Sequence, residues 1–370
     1  MISLLRLTNF KIFQEQSLEF KSLTVLSGIN SSGKSSVLQS LLLLRQSYQQ
    51  GLLENTGLAL NGDWVCIGTA KDALCEAAKE ESIRFEIGWE NGIKGIWRFH
   101  YDTKEADVLT LVPEPISTEV YKSSLFQNKF NYLNAERIGS RVFNEMSDYQ
   151  VRHLAQVGVR GEYTAHFLSV NQHQKIPNLT LEYPKAKSLE LIDQVEAWMR
   201  EVSPGTRIKI KDNVDLDVVS LQYSYGDSNP YRATNVGFGI SYTLPIIVAI
   251  LASEPGSLIL LENPEAHLHP KGQAKMGELF ALAASCGVQI VVETHSDHIL
   301  NGIRLAVHGG KLDPNDVQLH YFQRKETRGE SKTEVISPRM DRNGRIDNWP
   351  DGFFDEWKKN LAKLIQPIGS

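Results

Sequence analysis

Three cysteines in 370 residues, Cys66, Cys75 and Cys286, give no material for a disulfide framework, and no Cys-x-x-Cys pair offers a zinc site. A reducing, cytoplasmic setting is the expectation that follows. No apolar run approaches the about 18 residues needed to cross a bilayer. The best candidate, residues 240–252, is shorter and carries Pro245. The first residues lack a basic region followed by an apolar stretch and a small-residue cleavage site, which argues against a signal peptide. Basic charge is not in excess: 39 Lys and Arg face 44 Asp and Glu, for a formal charge of −5. The chain as a whole therefore has no electrostatic pull toward nucleic acid or an anionic membrane, and only a local basic patch would supply one. Internal repeats, low-complexity tracts and sustained heptads are also missing, which excludes a long coiled-coil arm. What remains is a globular composition, 41% hydrophobic and 22% charged, enough for one large domain with insertions or for two.

Against this plain background one stretch stands out. Gly28, Gly33, Lys34 and Ser35 fit G-x-x-x-x-G-K-[ST] in full, after the apolar run 22–26 and before the helical pattern 37–44. Glycines at both ends let the backbone turn tightly enough for successive N–H groups to converge on phosphate oxygens. The helix that follows adds first-turn N–H groups and a favourable dipole. Asn30, Ser31, Ser32, Gly33, Lys34, Ser35 and Ser36 are thus the expected nucleotide-binding residues. Lys34 would reach the β- and γ-phosphates, and the Ser35 hydroxyl would be one ligand of Mg²⁺.

A phosphate loop alone does not choose among kinases, GTPases and ATPases. The GTPase reading lacks an Asn-Lys-x-Asp segment, the nearest string ending in Asn131 rather than Asp. Two later strands narrow the choice. Residues 257–262 are apolar and end in Glu262, placed to hold Mg²⁺ directly or through water, with Asn263 and Glu265 in the turn beyond. Residues 288–292 are apolar and end in Glu293, Thr294 and His295, the histidine placed to reach a γ-phosphate or an attacking water.

The pattern along the chain predicts an α/β fold, a mostly parallel sheet flanked by helices, with an antiparallel β subdomain and an inserted helical segment. Residues 82–89 and 93–100 alternate around Asn91 and Gly92 as a hairpin. Residues 103–130 are polar and poorly periodic. Leu189, Ile192, Val195 and Met199 mark a helix over 187–202, and α/β alternation resumes near Ser220. The organisation expected is an N-terminal part of the head at 1–75, an inserted region at 76–215, a C-terminal part of the head at 216–325 and a tail at 326–370.

Other constellations admit plainer readings. His267 and His269 form a His-x-His pair with no third convergent ligand, which favours packing over a metal. Residues 295–298 hold His, Ser and Asp, but adjacent loop residues rarely converge as a triad. Arg137, Arg141, Arg160 and Arg232 suit either phosphate contacts or surface ion pairs. Trp89 and Trp97 are expected as cross-strand packing, and Trp349 as a buried anchor for the tail.

Residues 263–270, Asn-Pro-Glu-Ala-His-Leu-His-Pro, and 293–298, Glu-Thr-His-Ser-Asp-His, resemble the extended Walker B and switch-histidine regions of ABC/SMC-type ATPase heads, close to the OLD (overcoming lysogenisation defect) and AAA-15/AAA-21 groups. Residues 343–354 and 132–139 resemble the bacterial subgroup with a DUF3696 C-terminal domain. The resemblance implies ATP and Mg²⁺ as ligands and a signature loop at 234–242, with Asn235, Gly237, Gly239 and Ser241 as its nucleotide contacts. That loop would act in trans, on nucleotide held by the other protomer of a head-to-tail homodimer. Phe238 stands where the better-known signature has serine, and Ser241 is the substitute considered. Asn263 stands where the group places its water-polarising acid, which implies slow hydrolysis or transfer of the base role to Glu265. The resemblance further implies a regulatory ATPase that gates an effector such as a nuclease in anti-phage defence. A DNA-repair or DNA-structure sensor and a nucleotide-held scaffold with little turnover stay open. Nucleic acid stays open as a partner, and a membrane is not expected.

Overall fold

Short apolar strands alternating with helices build the centre of the molecule. The computed structural model describes residues 1–327 and 330–365; residues 328–329 and 366–370 of the expected tail lie outside the described residues. In chain order the strands are β1 (Ile2–Phe10), β2 (Phe13–Glu19), β3 (Leu23–Gly28), β4 (Gly57–Ala59), β5 (Ser82–Trp89), β6 (Lys94–His100), β7 (Val108–Val112), β8 (Phe130–Leu133), β9 (Asn144–Glu145), β10 (Thr206–Asn213), β11 (Val218–Tyr225), β12 (Tyr231–Arg232), β13 (Leu258–Glu262), β14 (Gln289–Glu293), β15 (Val317–Thr327) and β16 (Glu330–Ile336). The helices are α1 (Lys34–Gln49), α2 (Ala70–Ala73), α3 (Thr164–Asn171), α4 (Leu191–Val202), α5 (Phe238–Leu251), α6 (Pro270–Ser285), α7 (Asp297–His308) and α8 (Glu356–Leu364).

The central sheet runs β16-β15-β3-β14-β13-β8. Its five strands from β15 to β8 are parallel, and only the edge strand β16 is antiparallel. Alternate residues of these strands feed opposite cores, as a two-fold side-chain period requires. Val25, Ile259, Leu261, Ile290 and Val292 face the cluster that holds α5, α6 and α7, whereas Leu26, Leu258, Leu260 and Val291 face the one that holds α1. This is the mostly parallel α/β sheet that the continuous apolar strands predict.

A second sheet, β2-β1-β5-β6-β7-β4, is antiparallel throughout and covers the far side of α1. That sandwich explains why α1 is apolar all round: Leu41, Leu42, Leu43 and Leu44 are all fully buried. Each fully buried leucine contributes about 1.5–3 kcal/mol. The predicted hairpin is present, but Trp97 lies opposite Phe85 rather than Trp89. Both tryptophans are buried.

The small third sheet joins β9, β10, β11 and β12. Residues 218–225, where α/β alternation was expected to resume, instead form its middle strand. Of the segment expected as an insertion, β5 to β7 complete the antiparallel sheet and β8 closes one edge of the parallel sheet. The polar stretch 103–130 contains β7, whose alternation is too short to register against its charged flanks. The helix expected over 187–202 begins only at Leu191, because the Leu189 carbonyl accepts the Ile176 N–H (3.0 Å) and is lost to the helix.

Candidate functional site

β3 delivers the chain to the glycine loop at Gly28, whose φ is 141°. A Cβ there would stand 2.1 Å from the Phe322 carbonyl oxygen of β15, so only glycine fits. Ser31 and Gly33 are also left-handed, at φ 57° and 101°. The Ile12 and Phe13 side chains pack against Gly33, and a cavity of about 1010 Å³ opens beside them. β15 and β16 grip the loop from the other side: the Arg324 guanidinium donates to the Ser31 carbonyl (2.8 Å) and the Thr333 hydroxyl to the Ser32 carbonyl (3.2 Å). Ser32 and Ser36 are buried, while Asn30 is exposed at the tip.

Lys34 opens α1, which has no side-chain cap and no acid in its first turn. Its first-turn N–H groups therefore suit an anion. The ammonium is buried, folded back onto the carbonyls of Gly28 (3.1 Å) and Ile29 (2.8 Å), and 3.9 Å from Glu293. Burial lowers its pKa below the ordinary lysine value, and Glu293 opposes that shift.

Two carboxylates sit side by side at the ends of β13 and β14, where Glu262 is in register with Glu293. Glu293 accepts the Ser35 hydroxyl at 3.0 and 3.3 Å. Glu262 is turned the other way, accepting the Tyr132 hydroxyl (2.9 Å) and the Ala135 N–H (3.3 Å). Burial raises the pKa of both, and the charge of Glu262 adds to the effect on Glu293, which is pushed up to about 7. Sequence reasoning assigned a role only to Glu262. The signal for Glu293 was the same one, an acid closing an apolar parallel strand.

Beyond Glu262 the chain turns through Asn263, left-handed at φ 44°, a conformation asparagine tolerates better than most residues. Its N–H donates to the Glu293 carbonyl (2.9 Å). Both Glu265 oxygens are engaged, one by the Thr294 hydroxyl and one by the His295 N–H, each at 2.7 Å. The carboxylate thus ties the turn after β13 to the loop after β14. The His295 ring is exposed on one side. Packing around it, then the charge of Lys34, hold it below its ordinary pKa.

The expected signature loop leads into α5. Asn235 and Gly237 are exposed, and nothing lies within 4 Å of a Cβ at Gly237. Gly239 is different: a Cβ there would meet the His267 carbonyl oxygen at 2.4 Å. The Phe238 ring packs on Tyr242 and His267, with centroids 4.9 and 5.0 Å away. The Ser241 hydroxyl lies 2.8 Å from that of Ser140. The loop thus finds its partners in residues 139–140 and 267–268, while those of the phosphate loop come from β2, β15 and β16.

Arg137 corrects the expectation of surface ion pairing. It is 1% exposed and donates to the carbonyls of Glu262 and Asn263, both at 2.6 Å, and of Tyr242 at 3.1 Å. It joins the end of β13 to the start of α5. Arg160 does pair at the surface, with Glu136 at 3.1 Å. Arg141 and Arg232 are exposed. His267 packs on aromatic rings and His269 caps α6 by accepting the Lys271 N–H. No group of three metal-ligating side chains occurs among the described residues. Trp349 is only half-buried; the deep anchor of the tail is Phe353, against Tyr321 and Trp349.

The sequence model of a family described as "AAA domain, putative AbiEii toxin, Type IV TA system" matches residues 23–301, and that of a "Protein of unknown function (DUF3696)" matches residues 312–364. The second match covers β15, β16 and α8, so the elements that grip the phosphate loop from one side belong to it. The fold is that of SMC head domains. A crystal structure of an SMC head bound to the C-winged helix domain of ScpA is 13% identical, with 91% of this chain and 98% of that chain covered and a TM-score of 0.54. An SMC head with an extended coiled coil, bound to the C-terminal domain of ScpA derived from Pyrococcus furiosus, is 12% identical, with 99% of each chain covered and a TM-score of 0.54. A search of curated proteins finds no match.

Proposed function

The chain belongs to the AAA-domain family matched over residues 23–301, and from that premise we propose that it is an ATP-hydrolysing head whose nucleotide-dependent pairing with a second copy regulates a partner effector. One juxtaposition carries this reading. The ends of β3, β13 and β14 gather a lysine–serine helix start, two carboxylates and a histidine loop, while Gly237 faces solvent away from its own phosphate loop. A site built this way lacks donors on one side, and a second copy around a two-fold axis would supply them from its residues 235–241. Two filled interfaces would then shift the population toward the closed pair, since only that state contributes ligands from both subunits.

The residues present suit Mg²⁺ and a triphosphate. A hydroxyl faces paired carboxylates that burial makes reluctant to ionise, and a divalent cation is what offsets such repulsion. Ser35 and the strand-end carboxylates would hold the ion, which neutralises phosphate charge when bound. Lys34 would exchange its two carbonyl partners for phosphate oxygens. Asn263 orients water without taking its proton, Glu265 takes the base role, and His295 reaches toward the γ-phosphate. Turnover is slow on this account, because Glu265 is already committed to Thr294 and His295.

The family description names an AbiEii toxin, which favours a role in phage defence with an effector such as a nuclease. The three cysteines are free thiols, in keeping with the cytoplasm. Among the described residues no helix is long and apolar enough to cross a membrane. The amide at Asn263 keeps a second reading in play, a nucleotide-held scaffold. ATP turnover with and without duplex DNA, with particle mass measured alongside, separates the readings. Slow turnover with an ATP-dependent doubling of mass is expected. Binding without phosphate release favours the scaffold, and strong stimulation by DNA favours a DNA sensor.

A further inference from the structure

We propose that Glu293, at the end of β14, is the protein carboxylate that meets the divalent cation of the bound nucleotide, and that Glu262 serves instead to hold the neighbouring strand end in place. The inference rests on the nucleotide-binding reading above and sharpens it. β14 lies between β3 and β13, so Glu293 is on the strand next to the phosphate loop and Glu262 is one strand farther away. Adjacent strands are about 4.8 Å apart, a step comparable to the whole reach of a glutamate side chain. Both Glu293 oxygens are within 3.3 Å of the Ser35 hydroxyl, the helix-start oxygen expected to bind the cation. The same carboxylate faces Lys34, the expected phosphate-binding ammonium, at 3.9 Å.

Glu262 is engaged in the opposite direction. One of its oxygens takes the Tyr132 hydroxyl from β8 and the other the Ala135 N–H just beyond it. Its backbone carbonyl is held by Arg137 at 2.6 Å. To face Ser35 it would have to surrender two hydrogen bonds in a buried setting, a cost of about 1–3 kcal/mol for each group left unsatisfied. Glu293 has to move nothing but a serine proton. Carboxylate and hydroxyl oxygens are the hard donors that Mg²⁺ selects.

The test measures ATP affinity in excess Mg²⁺ and in excess EDTA, for the wild type, Glu293→Gln, Glu293→Asp and Glu262→Gln, with Mn²⁺ in place of Mg²⁺ for a direct spin-resonance count of bound ion. Wild-type affinity should tighten with Mg²⁺. Glu293→Gln should lose on the order of tenfold or more of that tightening and of Mn²⁺ affinity. Its affinity in EDTA should be undiminished, since an anion facing the triphosphate is gone. Glu293→Asp, which keeps the charge but retracts it, should fall between and keeps the test open if the amide variant fails to fold. Glu262→Gln should keep most of the Mg²⁺ response. Full tightening in Glu293→Gln, or its loss in Glu262→Gln alone, would overturn the assignment. Failure of the wild type to bind ATP under both conditions would overturn the nucleotide-binding reading itself and this inference with it, and that outcome is recognised before any variant is made.

Discussion

The α-carbon of Gly239 lies against the backbone of His267, so close that a Cβ would stand 2.4 Å from the His267 carbonyl oxygen. The start of α5 and the turn after β13 are therefore one packed unit, fastened further by the Phe238 and Tyr242 rings on His267 and by Arg137. Gly239→Ala should consequently cost stability in a single chain, about 1–3 kcal/mol as overpacking does. Gly237→Ala, with open space around it, should stay within about 0.5 kcal/mol. Denaturant midpoints with nucleotide absent check both. Equal effects at the two positions would contradict the packing.

That difference decides which glycine tests the shared site. A carboxylate at Gly239 would damage its own chain first, whereas one at Gly237 projects into solvent. Gly237→Asp and Lys34→Ala should each abolish turnover. An equal mixture under subunit exchange should regain about a quarter of the wild-type rate: half the dimers are mixed, and each mixed dimer keeps one intact site of two. Absence of any recovery while mixed dimers are detected by mass would refute a site shared between subunits.

Glu265 holds Thr294 and the His295 N–H with its two oxygens, so a loop-holding role and a base role can be told apart. Thr294→Val removes one partner and keeps the carboxylate. Glu265→Gln keeps the shape and loses the charge, together with one acceptor. If Glu265 takes a proton from water, turnover should fall by about 10²-fold or more in Glu265→Gln and only a few-fold in Thr294→Val. Similar losses in the two variants would assign the carboxylate to holding the loop. Single-turnover phosphate release is the measurement.

Much of this arrangement was legible because it is local. The glycine spacing, the apolar strands and their terminal acids are all written within a few residues, and the parallel sheet follows from strands buried on both faces. What the sequence hid depends on partners far along the chain. Arg137 reads as a surface cation until the carbonyls of Glu262, Asn263 and Tyr242 close around it, more than a hundred residues away. Leu189 fits a helical stripe, yet its carbonyl is claimed by Ile176. β8 is four residues long and gains its meaning only from pairing with β13. Which of two acids faces Ser35 is fixed by strand order, and strand order is not a local property.

The strand-end carboxylates also set a pH dependence whose sign is fixed. Burial, then the charge of Glu262, lifts the Glu293 pKa from an ordinary 4.5 to about 7, against the pull of Lys34 and Ser35 and with a further push from Glu265. An unfolded chain loses this proton near pH 4.5, and the folded one keeps it until about pH 7. Between those limits the folded state binds more protons, so this group's contribution to stability falls as pH rises through the window and levels off above it. Buried histidines such as His320, with pKa values held low, act in the opposite sense as pH falls below their ordinary range. Absolute stability therefore mixes the two, but the difference between Glu293→Gln and the wild type isolates the carboxylate. Without nucleotide or metal, the variant should match the wild type near pH 5 and exceed it progressively up to about pH 8, by on the order of a few kcal/mol. Melting midpoints or urea titrations across that range provide the check. A difference that stays constant with pH, or grows toward acid, would show that Glu293 is ionised in the folded state throughout and that Lys34 outweighs its burial.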